Sequence, residues 1–302
     1  MSDIPRGAIR FNTDSNKPEL WDGSQWAEFQ LSTPNLGTSD DRQPGARGVF
    51  QGGLAPSDVD TVDYINISST GNAIDFGDLS SARRLGAGFA SSTRVFAYGG
   101  YDGSSNKDEI EYFTIASTGS RVDFGTNSPN ANRSNAGAAN ATRGLSLGGV
   151  APKSNEIDYI TMASDGSAVG SFGVPIMSPG SQIAQAYGTA SPTRAIFGGG
   201  EISPTFQRNM EFVTISSGGN AVKFGDLLQS GGLRQQGSAS SPTRGMFAGG
   251  SNDTPSASTV YNQIQYVEIA TEGDAVDFGD LVGGTARWQI MNGTTSNGHG
   301  GL

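Results

Sequence analysis

Residues 191–200 read SPTRAIFGGG and residues 241–250 read SPTRGMFAGG, so nearly the same ten residues recur 50 positions apart. An arginine followed five residues later by a pair of glycines occurs five times, at intervals of 47 to 51 residues. These arginines are Arg47, Arg94, Arg143, Arg194 and Arg244. A repeat of this period is typical of solenoids, propellers and arrays. The spacing therefore predicts five copies of one structural unit.

Each copy has the pattern of β-strands. After the glycine pair and a loop of variable length comes a run in which apolar and polar residues alternate, starting at Val62, Ile110, Ile157, Met210 and Ile264. This period of two is typical of a half-buried strand. A turn rich in small and polar residues follows, and then a run that ends in Phe-Gly. Small residues precede each arginine, which suits an innermost strand crowded around a central axis. No segment has a helical period.

A unit of about 50 residues with four strands and a glycine pair after the second resembles a kelch blade. The resemblance covers roughly residues 36–302, although Phe-Gly replaces the tryptophan that kelch blades carry late in the repeat. It implies an all-β, kelch-like β-propeller of five full repeats. Residues 286–302 resemble the first half of a further blade, and residues 7–31 offer two or three strands. We expect these terminal segments to pair and close a sixth blade. The alternative is an N-terminal hairpin beside a five-bladed ring.

The domain boundaries follow from the same pattern. Residues 1–35 form an N-terminal β segment, either a fibre-like module or the ring-closing strands, and residues 36–302 form the repeats. The phenylalanine of each Phe-Gly is predicted to pack between blades, and its glycine to allow a tight turn. This prediction covers Phe76, Phe124, Phe224 and Phe278. Phe172, beside Pro175 in the most divergent repeat, is expected to be less well packed.

The composition excludes several functions. The net charge is −10 and only four lysines occur, whereas a nucleic-acid binder needs a basic face, so no nucleic-acid partner is expected. There is no cysteine, hence neither a disulfide nor a thiolate metal site. No apolar run approaches the roughly 18 residues of a membrane span. The N-terminus lacks a signal peptide's apolar core. We therefore expect synthesis in a cytoplasm and no membrane insertion.

Catalytic constellations are scarce. His299 is the single histidine, so triads and histidine-based zinc sites have almost nothing to be built from. The Asp-Phe-Gly triplets at Asp75 and Asp277 belong to the repeat rather than to a kinase. Asp102, Ser104, Asn106 and Asp108 match part of a calcium loop, but Lys107 stands where glycine is required. The chain is predicted to be no enzyme and to need no cofactor.

A recurring acid opens the middle run of each repeat, at Asp63, Glu111, Asp158 and Glu211, with Gln265 in the fifth copy. Recurrence argues for scaffolding rather than for a glycosidase pair in a shared cleft. Since an isolated buried charge is costly, we expect these acids to form ion pairs with the recurring arginines, among them Arg94, Arg143 and Arg194, within or between blades.

A second resemblance rests on IDYITMAS at Ile157, TGNAIDFGDL at Thr70 and SPTRAIFGGG at Ser191. These stretches are similar to kelch-like structural proteins of tailed bacteriophages that infect marine bacteria, cyanophages in particular. The N-terminal residues 7–14, the stretch 19–23 and Trp26 look like a short module of phage tail-fibre and other virion proteins. The resemblance implies a virion structural protein, in the tail or baseplate rather than the capsid. It brings no catalytic residues with it.

The loops after Gly-Gly alone vary in length, which predicts that specificity lies there, on one rim of the disc. They span residues 54–61, 101–108, 150–155, 201–208 and 251–262, with Tyr101, Asp102, Phe206 and Tyr261 as candidate contact residues. The expected partners are other virion proteins, in several symmetric copies, and a host surface glycan or protein. A soluble, lectin-like receptor-binding propeller is the alternative, and a polysaccharide-acting enzyme ranks behind both.

Overall fold

The structure is a computed structural model that describes residues 5–12, 17–28, 47–54, 56–67, 71–119, 121–150, 154–167, 169–176, 183–202, 204–254, 257–281 and 294–295. These residues form strands, turns and bends, and no helix. The chain divides into two compact units, Met1–Thr38 and Ser39–Leu302.

The N-terminal unit is an antiparallel sheet of three strands, β1 (Ile9–Asn12), β2 (Lys17–Trp21) and β3 (Trp26–Glu28). The turn between β2 and β3 is held by the Asp22 carboxylate, which accepts hydrogen bonds from the amides of Ser24 and Gln25. The Arg10 guanidinium lies 4.3 Å from the Trp26 ring centroid. The sheet therefore carries its own turn and its own cation–π contact.

The second unit is a ring of five antiparallel sheets, or blades. The first contains β4 (Arg47–Leu54), β5 (Asp58–Asn66) and β6 (Ile74–Asp78). The second contains β7 (Ala87–Ala90), β8 (Arg94–Tyr101), β9 (Asn106–Thr114) and β10 (Val122–Asp123). The third contains β11 (Ala136–Ala139), β12 (Arg143–Leu147), β13 (Ile157–Thr161) and β14 (Gly170–Gly173).

The last two blades each carry an additional hairpin. The fourth contains β15 (Tyr187–Ala190), β16 (Arg194–Gly198), β19 (Asn209–Thr214) and β20 (Val222–Asp226), with the hairpin β17 (Glu201–Ile202) and β18 (Thr205–Phe206). The fifth contains β21 (Gly237–Ser240), β22 (Arg244–Ala248), β25 (Gln263–Glu268) and β26 (Val276–Asp280), with the hairpin β23 (Ser251–Thr254) and β24 (Ala257–Val260).

The C-terminal strand β27 (Thr294–Thr295) closes the ring. It pairs with β4, Thr294 opposite Val49 and Thr295 opposite Gly48, and thereby supplies the innermost strand of the first blade. The expected sixth blade is therefore wrong. The C-terminal segment supplies the inner strand of the first repeat, while β1–β3 pair with one another. The all-β propeller itself is confirmed, with five blades.

The inner strands approach one another closely around the axis. A Cβ atom on Gly137 would lie 2.4 Å from the carbonyl oxygen of Gly88, and one on Gly188 would lie 2.2 Å from that of Gly137. Such distances are impossible for real side chains, so the strand facing the axis must use small residues at these positions.

The Phe-Gly pairs join neighbouring blades. Phe76, Phe124, Phe172 and Phe224 are all buried. The carbonyl of Phe76 accepts a hydrogen bond from the amide of Gly119, at the turn between β9 and β10 of the next blade. A Cβ atom on Gly77 would lie 2.4 Å from the carbonyl oxygen of Gly119. Glycine is required here because of this close approach, and not because of the tight turn that we expected.

Two predictions for the phenylalanines are wrong. Phe172 is as well packed as its equivalents, with 5% of its surface exposed, whereas Phe278 is 53% exposed. Phe278 still meets Tyr266 of its own blade edge to face at 5.9 Å. Phe76 is additionally covered by Phe113 of the next blade, at 5.6 Å. In the first blade the residue equivalent to Phe113 is Ile65, which is itself only half-buried, so Phe278 lacks that cover.

Ring closure can be tested by truncation. Ending the chain at residue 293 removes β27 and exposes the edge of β4, so the free energy of unfolding should fall by about 2 kcal/mol or more, since each ladder hydrogen bond contributes about 1 kcal/mol. Deleting residues 1–35 should leave the melting temperature of the propeller unchanged. Equal losses from the two truncations would contradict closure by the C-terminal strand alone.

The phenylalanines offer a matched pair of variants. Phe124→Ala empties a fully buried position and should cost about 3–5 kcal/mol of unfolding free energy. Phe278→Ala, at the equivalent position of the fifth blade, should cost less than about 1 kcal/mol because the side chain is half exposed. Urea denaturation of both variants measures the difference. Similar costs would show that Phe278 is packed between the fifth and the first blade.

Candidate functional site

All Gly-Gly pairs lie at one end of their blades, here called the Gly-Gly rim. Both glycines of every pair have positive φ, from +58° to +130°, a conformation that favours glycine. In four blades the residue directly after the glycine pair forms a bridge with the linker that enters an inner strand. These bridges join Tyr101 to Arg84, Val150 to Arg133, Glu201 to Ala184 and Ser251 to Arg234. The described parts of the variable loops therefore start from one rim, as the sequence predicted.

Three backbone hydrogen bonds run in series around part of the axis at this rim. The amide of Ser134 donates to the carbonyl of Leu85 at 2.7 Å, that of Gln185 to Ser134 at 2.9 Å, and that of Gln235 to Gln185 at 3.4 Å. These four residues, here called the collar, all have φ between +57° and +61°. A non-glycine residue in this conformation costs about 1–2 kcal/mol. The hydrogen bonds between blades hold the collar in place despite this strain.

The collar opens into a cavity of about 780 Å³, here called the funnel. Its wall contains all four collar residues, Asn135 and Tyr187, together with the glycines Gly52, Gly53 and Gly99. Arg83 and Arg84 also lie in the wall. Arg83 donates to Glu111 at 3.0 Å and Arg84 forms an ion pair with Asp58, so both charges are compensated. No carboxylate is among the described residues that line the funnel.

Tyr101 and Asp102, two candidate contact residues, stiffen their own loop. Tyr101 is half-buried, with the guanidinium of Arg133 at 4.1 Å and that of Arg84 at 5.3 Å from its ring centroid. Asp102 accepts hydrogen bonds from the amides of Ser104 and Ser105 and pairs with Lys107 at 2.8 Å. These bonds, with that of Lys107 the strongest, hold the pKa of Asp102 well below its usual range.

The other two candidates are also engaged. Phe206 is half-buried, and the guanidinium of Arg234 lies 4.9 Å from its ring centroid. Tyr261 is half-buried and packs against the core shared by the fourth and fifth blades. The structure therefore places all four candidates at the rim, each held by contacts within the chain.

The recurring arginines join each blade to the next. Arg47 stacks on Tyr64 of its own blade at 4.5 Å and donates to the carbonyl of Ile115 at 2.7 Å. The same arrangement recurs three times, with donation by Arg94 to Met162, by Arg143 to Ile215 and by Arg194 to Ile269. Arg244, in the fifth blade, stacks on Tyr266 and pairs with Glu268 beside it.

The recurring acids bind the linkers between blades instead. Glu111 accepts from the amide of Ser80 and forms ion pairs with Arg83 and Arg121. Glu211 accepts from the amide of Ile176 at 2.6 Å, and Gln265 from that of Leu228 at 2.9 Å. A neutral amide oxygen is an equally suitable acceptor here, which explains why glutamine replaces the acid in the fifth repeat.

The prediction that these acids form ion pairs with the recurring arginines is therefore wrong. Arg94 lies opposite Thr114 in the ladder, while Glu111 lies opposite Ala97. An offset of three residues puts the two side chains on opposite faces of the blade. The same offset separates Arg143 from Asp158 and Arg194 from Glu211. Asp63 of the first blade is half-buried, and among the described residues the structure shows no partner for it.

Among the recurring acids, Asp158 has a pKa that is raised well above its ordinary value. Burial, together with the nearby charge of Glu156, raises the pKa of Asp158 to about 6, while the neighbouring Tyr98 hydroxyl acts in the opposite direction. Burial also raises the pKa of the Tyr98 hydroxyl. This aspartate is therefore partly protonated near neutral pH.

The sequence interpretation missed the arginines of the rim. Arg84, Arg133 and Arg234 each stand ten residues before a recurring arginine, so their period was a detectable signal. The collar had no such signal, because its four residues share a backbone conformation and not a side-chain type.

The remaining expectations concern metals and membranes. Among the described residues, no group of three histidine, cysteine or acidic side chains is close enough to hold a metal ion. In the partial calcium loop, Lys107 forms an ion pair with Asp102. His299 lies outside the described residues. Within the described part of the chain, no helix has the length and apolar character to span a membrane.

The geometry defines the chain as a β-propeller, and a solved structure agrees. The one titled "Structure of YjhT" superposes with a TM-score of 0.60, over 75% of this chain and 79% of that chain, at 11% sequence identity. At such low identity the likeness shows the fold alone. No protein-family model matches the sequence, and no curated protein matches it.

The titration of Asp158 predicts a pH-dependent stability. Its pKa in the folded state, about 6, exceeds the ordinary value of 3.8, so the folded protein binds a proton that the unfolded chain releases. Stability should therefore fall as the pH rises from about 4 to 6. Asp158→Asn carries no charge and should be more stable than the parent at pH 8, by at most about 3 kcal/mol.

Urea denaturation at pH 4 and pH 8 tests this. The two proteins should converge at pH 4, where Asp158 is largely protonated in the folded state. Glu272→Gln, at an exposed position, serves as the control and should shift stability by less than about 0.5 kcal/mol at either pH. An Asp158→Asn variant that is less stable at pH 8 would show that the charged carboxylate is favoured by a partner.

Proposed function

We propose that this chain is a non-catalytic binding module, a structural protein of a tailed-phage virion that docks to tail or baseplate proteins through its Gly-Gly rim. The observation that carries the proposal is the separation between scaffold and rim. The joints between blades repeat almost unchanged, whereas the loops of the rim differ in length and carry hairpins in two blades. A rigid scaffold that presents variable loops is the usual design of a recognition surface.

The rim is stiff, which favours docking. The side chains of Tyr101 and Phe206 are stacked by arginines, and Glu201 pairs with Arg234 at 2.8 Å. A loop that is already ordered loses less conformational entropy when a partner binds, so a larger share of the contact energy appears as affinity.

The chemistry of the rim supports binding rather than catalysis. Asp58, Asp102 and Glu201 are each held in an ion pair with an arginine or a lysine. The ion pair with Lys107 and the amide hydrogen bonds lower the pKa of Asp102 and keep it charged, which disfavours the proton transfers of an acid–base mechanism. The arrangement therefore serves to fix the loops.

A second candidate is a lectin-like receptor-binding propeller that acts on a host surface glycan. The funnel favours it, because its volume of about 780 Å³ falls within the range of about 300–1,000 Å³ that is usual for small-molecule sites. The two functions are compatible in one molecule, since a virion protein can hold a partner with its loops and a glycan with its cavity.

A loop exchange tests the docking proposal. Replacing residues 252–260 by a short Gly-Ser turn removes the hairpin β23–β24, which pairs with itself and not with the blade. The melting temperature should be unchanged, while incorporation into particles, or adsorption of the particles to host cells, should fall about tenfold or more, since loss of a docking loop removes at least about 1.4 kcal/mol.

The matched control lies on the opposite rim of the same blade. Pro242→Arg places a bulky charge at an exposed position beside Arg244 and should leave incorporation and adsorption intact. If Pro242→Arg abolishes them while the loop exchange does not, the partner binds the other rim, and the proposal is wrong.

A further inference from the structure

The collar retains side chains where the backbone favours glycine. All four residues have φ near +60°, yet they are leucine, serine and two glutamines. Glycine is abundant in this chain, with 45 residues, and it occupies every Gly-Gly position at the same rim. Strained non-glycine residues that persist in a structure cluster at ligand sites. The collar therefore points to a use for its side chains.

All four collar residues line the funnel, and three of them, Ser134, Gln185 and Gln235, have polar side chains. Gln185 accepts a hydrogen bond from Arg234 at 3.3 Å through its amide oxygen, which leaves its amide nitrogen as a donor. Among the described residues, the Oε1 atom of Gln235 has no hydrogen-bond partner. The structure shows none for the hydroxyl groups of Ser134 and Tyr187 either, again within the part of the chain that it describes.

The Oε1 atom of Gln235 is a buried acceptor for which no described residue is a donor. The residue is 8% exposed, and its Oε1 atom is shielded from solvent. A buried acceptor without a donor destabilises the folded state. Gln235 lines the funnel and the terminal torsion of glutamine is soft, so its amide can rotate to accept a hydrogen bond from a ligand hydroxyl there.

The charges in the wall select an uncharged ligand. The guanidinium groups of Arg83 and Arg84 are each paired with a carboxylate that lies outside the lining, Glu111 and Asp58. Neither is left to neutralise an anion, and no carboxylate among the described lining residues awaits a cation. The lining residues offer amide donors, amide acceptors and the hydroxyl groups of Ser134 and the half-buried Tyr187. These groups match a neutral molecule with many hydroxyl groups.

We propose that the funnel is a binding site for a neutral sugar, such as the terminal residue of a surface glycan, with Gln185, Gln235 and Ser134 bonded to its hydroxyl groups and Tyr187 against its ring. This inference rests on the second candidate function and names its ligand class, and it is independent of the docking of the rim to virion proteins. The loops can fail to dock while the funnel binds a sugar, and the reverse holds equally.

The test is binding of the full chain to immobilised glycans that end in neutral hexoses or N-acetylhexosamines, alongside glycans that end in carboxylated sugars. We expect neutral glycans to bind. The double variant Gln185→Gly, Gln235→Gly should lose about tenfold or more in affinity, because two amide groups are removed. Its melting temperature should be unchanged or higher, since glycine relieves the strained backbone.

Gln25→Gly is the control. It removes the same kind of side chain at an exposed position outside the lining of the funnel, so its affinity should stay within about threefold of the parent. An equal loss in Gln25→Gly would overturn the role of the funnel amides. Binding of carboxylated glycans alone would overturn the neutral class, and absence of binding to every glycan would overturn the site.

Discussion

The contact between neighbouring blades is the constraint on which this structure depends. Each sheet is short, and an isolated sheet of three or four strands buries little apolar surface. The blades therefore gain their stability from one another. At each described joint a phenylalanine enters the core, its carbonyl bonds the next blade's turn, and an arginine reaches a carbonyl of that blade. The regular spacing of the repeat follows from this joint, because every copy must meet the same neighbour in the same geometry.

The geometry of the rim depends on the joints between blades. Because the joints hold the inner strands close together, their entrances are near enough for hydrogen bonds from Leu85 around to Gln235. Those bonds hold four residues in a left-handed conformation, and all four line the funnel. The glycine pairs then turn each chain out of the blade and into a loop. Arginines of the linkers pack on those loops and order them, so a rigid ring ends in a rigid recognition surface.

Arginines of the chain lie at the same two places, the joints between blades and the rim. The net charge is −10, yet arginines concentrate at the joints and the rim, where each stacks on an aromatic ring or bonds a carboxylate or carbonyl. Arginine suits these places because its planar group stacks and donates in several directions at once. The third blade departs from this pattern, since no described arginine pairs with Asp158 as Arg83 pairs with Glu111, and burial beside Glu156 raises the pKa of Asp158 to about 6.

The sequence by itself determined the repeat, the strands, the all-β class and the common rim, because each depends on short periods and on glycine at fixed offsets. Tertiary structure alone decided the rest. The number of blades depended on which strand the C-terminal segment pairs with, a contact between residues nearly 250 positions apart. The partners of the recurring acids depended on the register that sets Arg94 and Glu111 on opposite faces. Phe278 and Phe124 are equivalent in sequence and differ in burial, because burial is a property of the neighbouring blade and not of the motif.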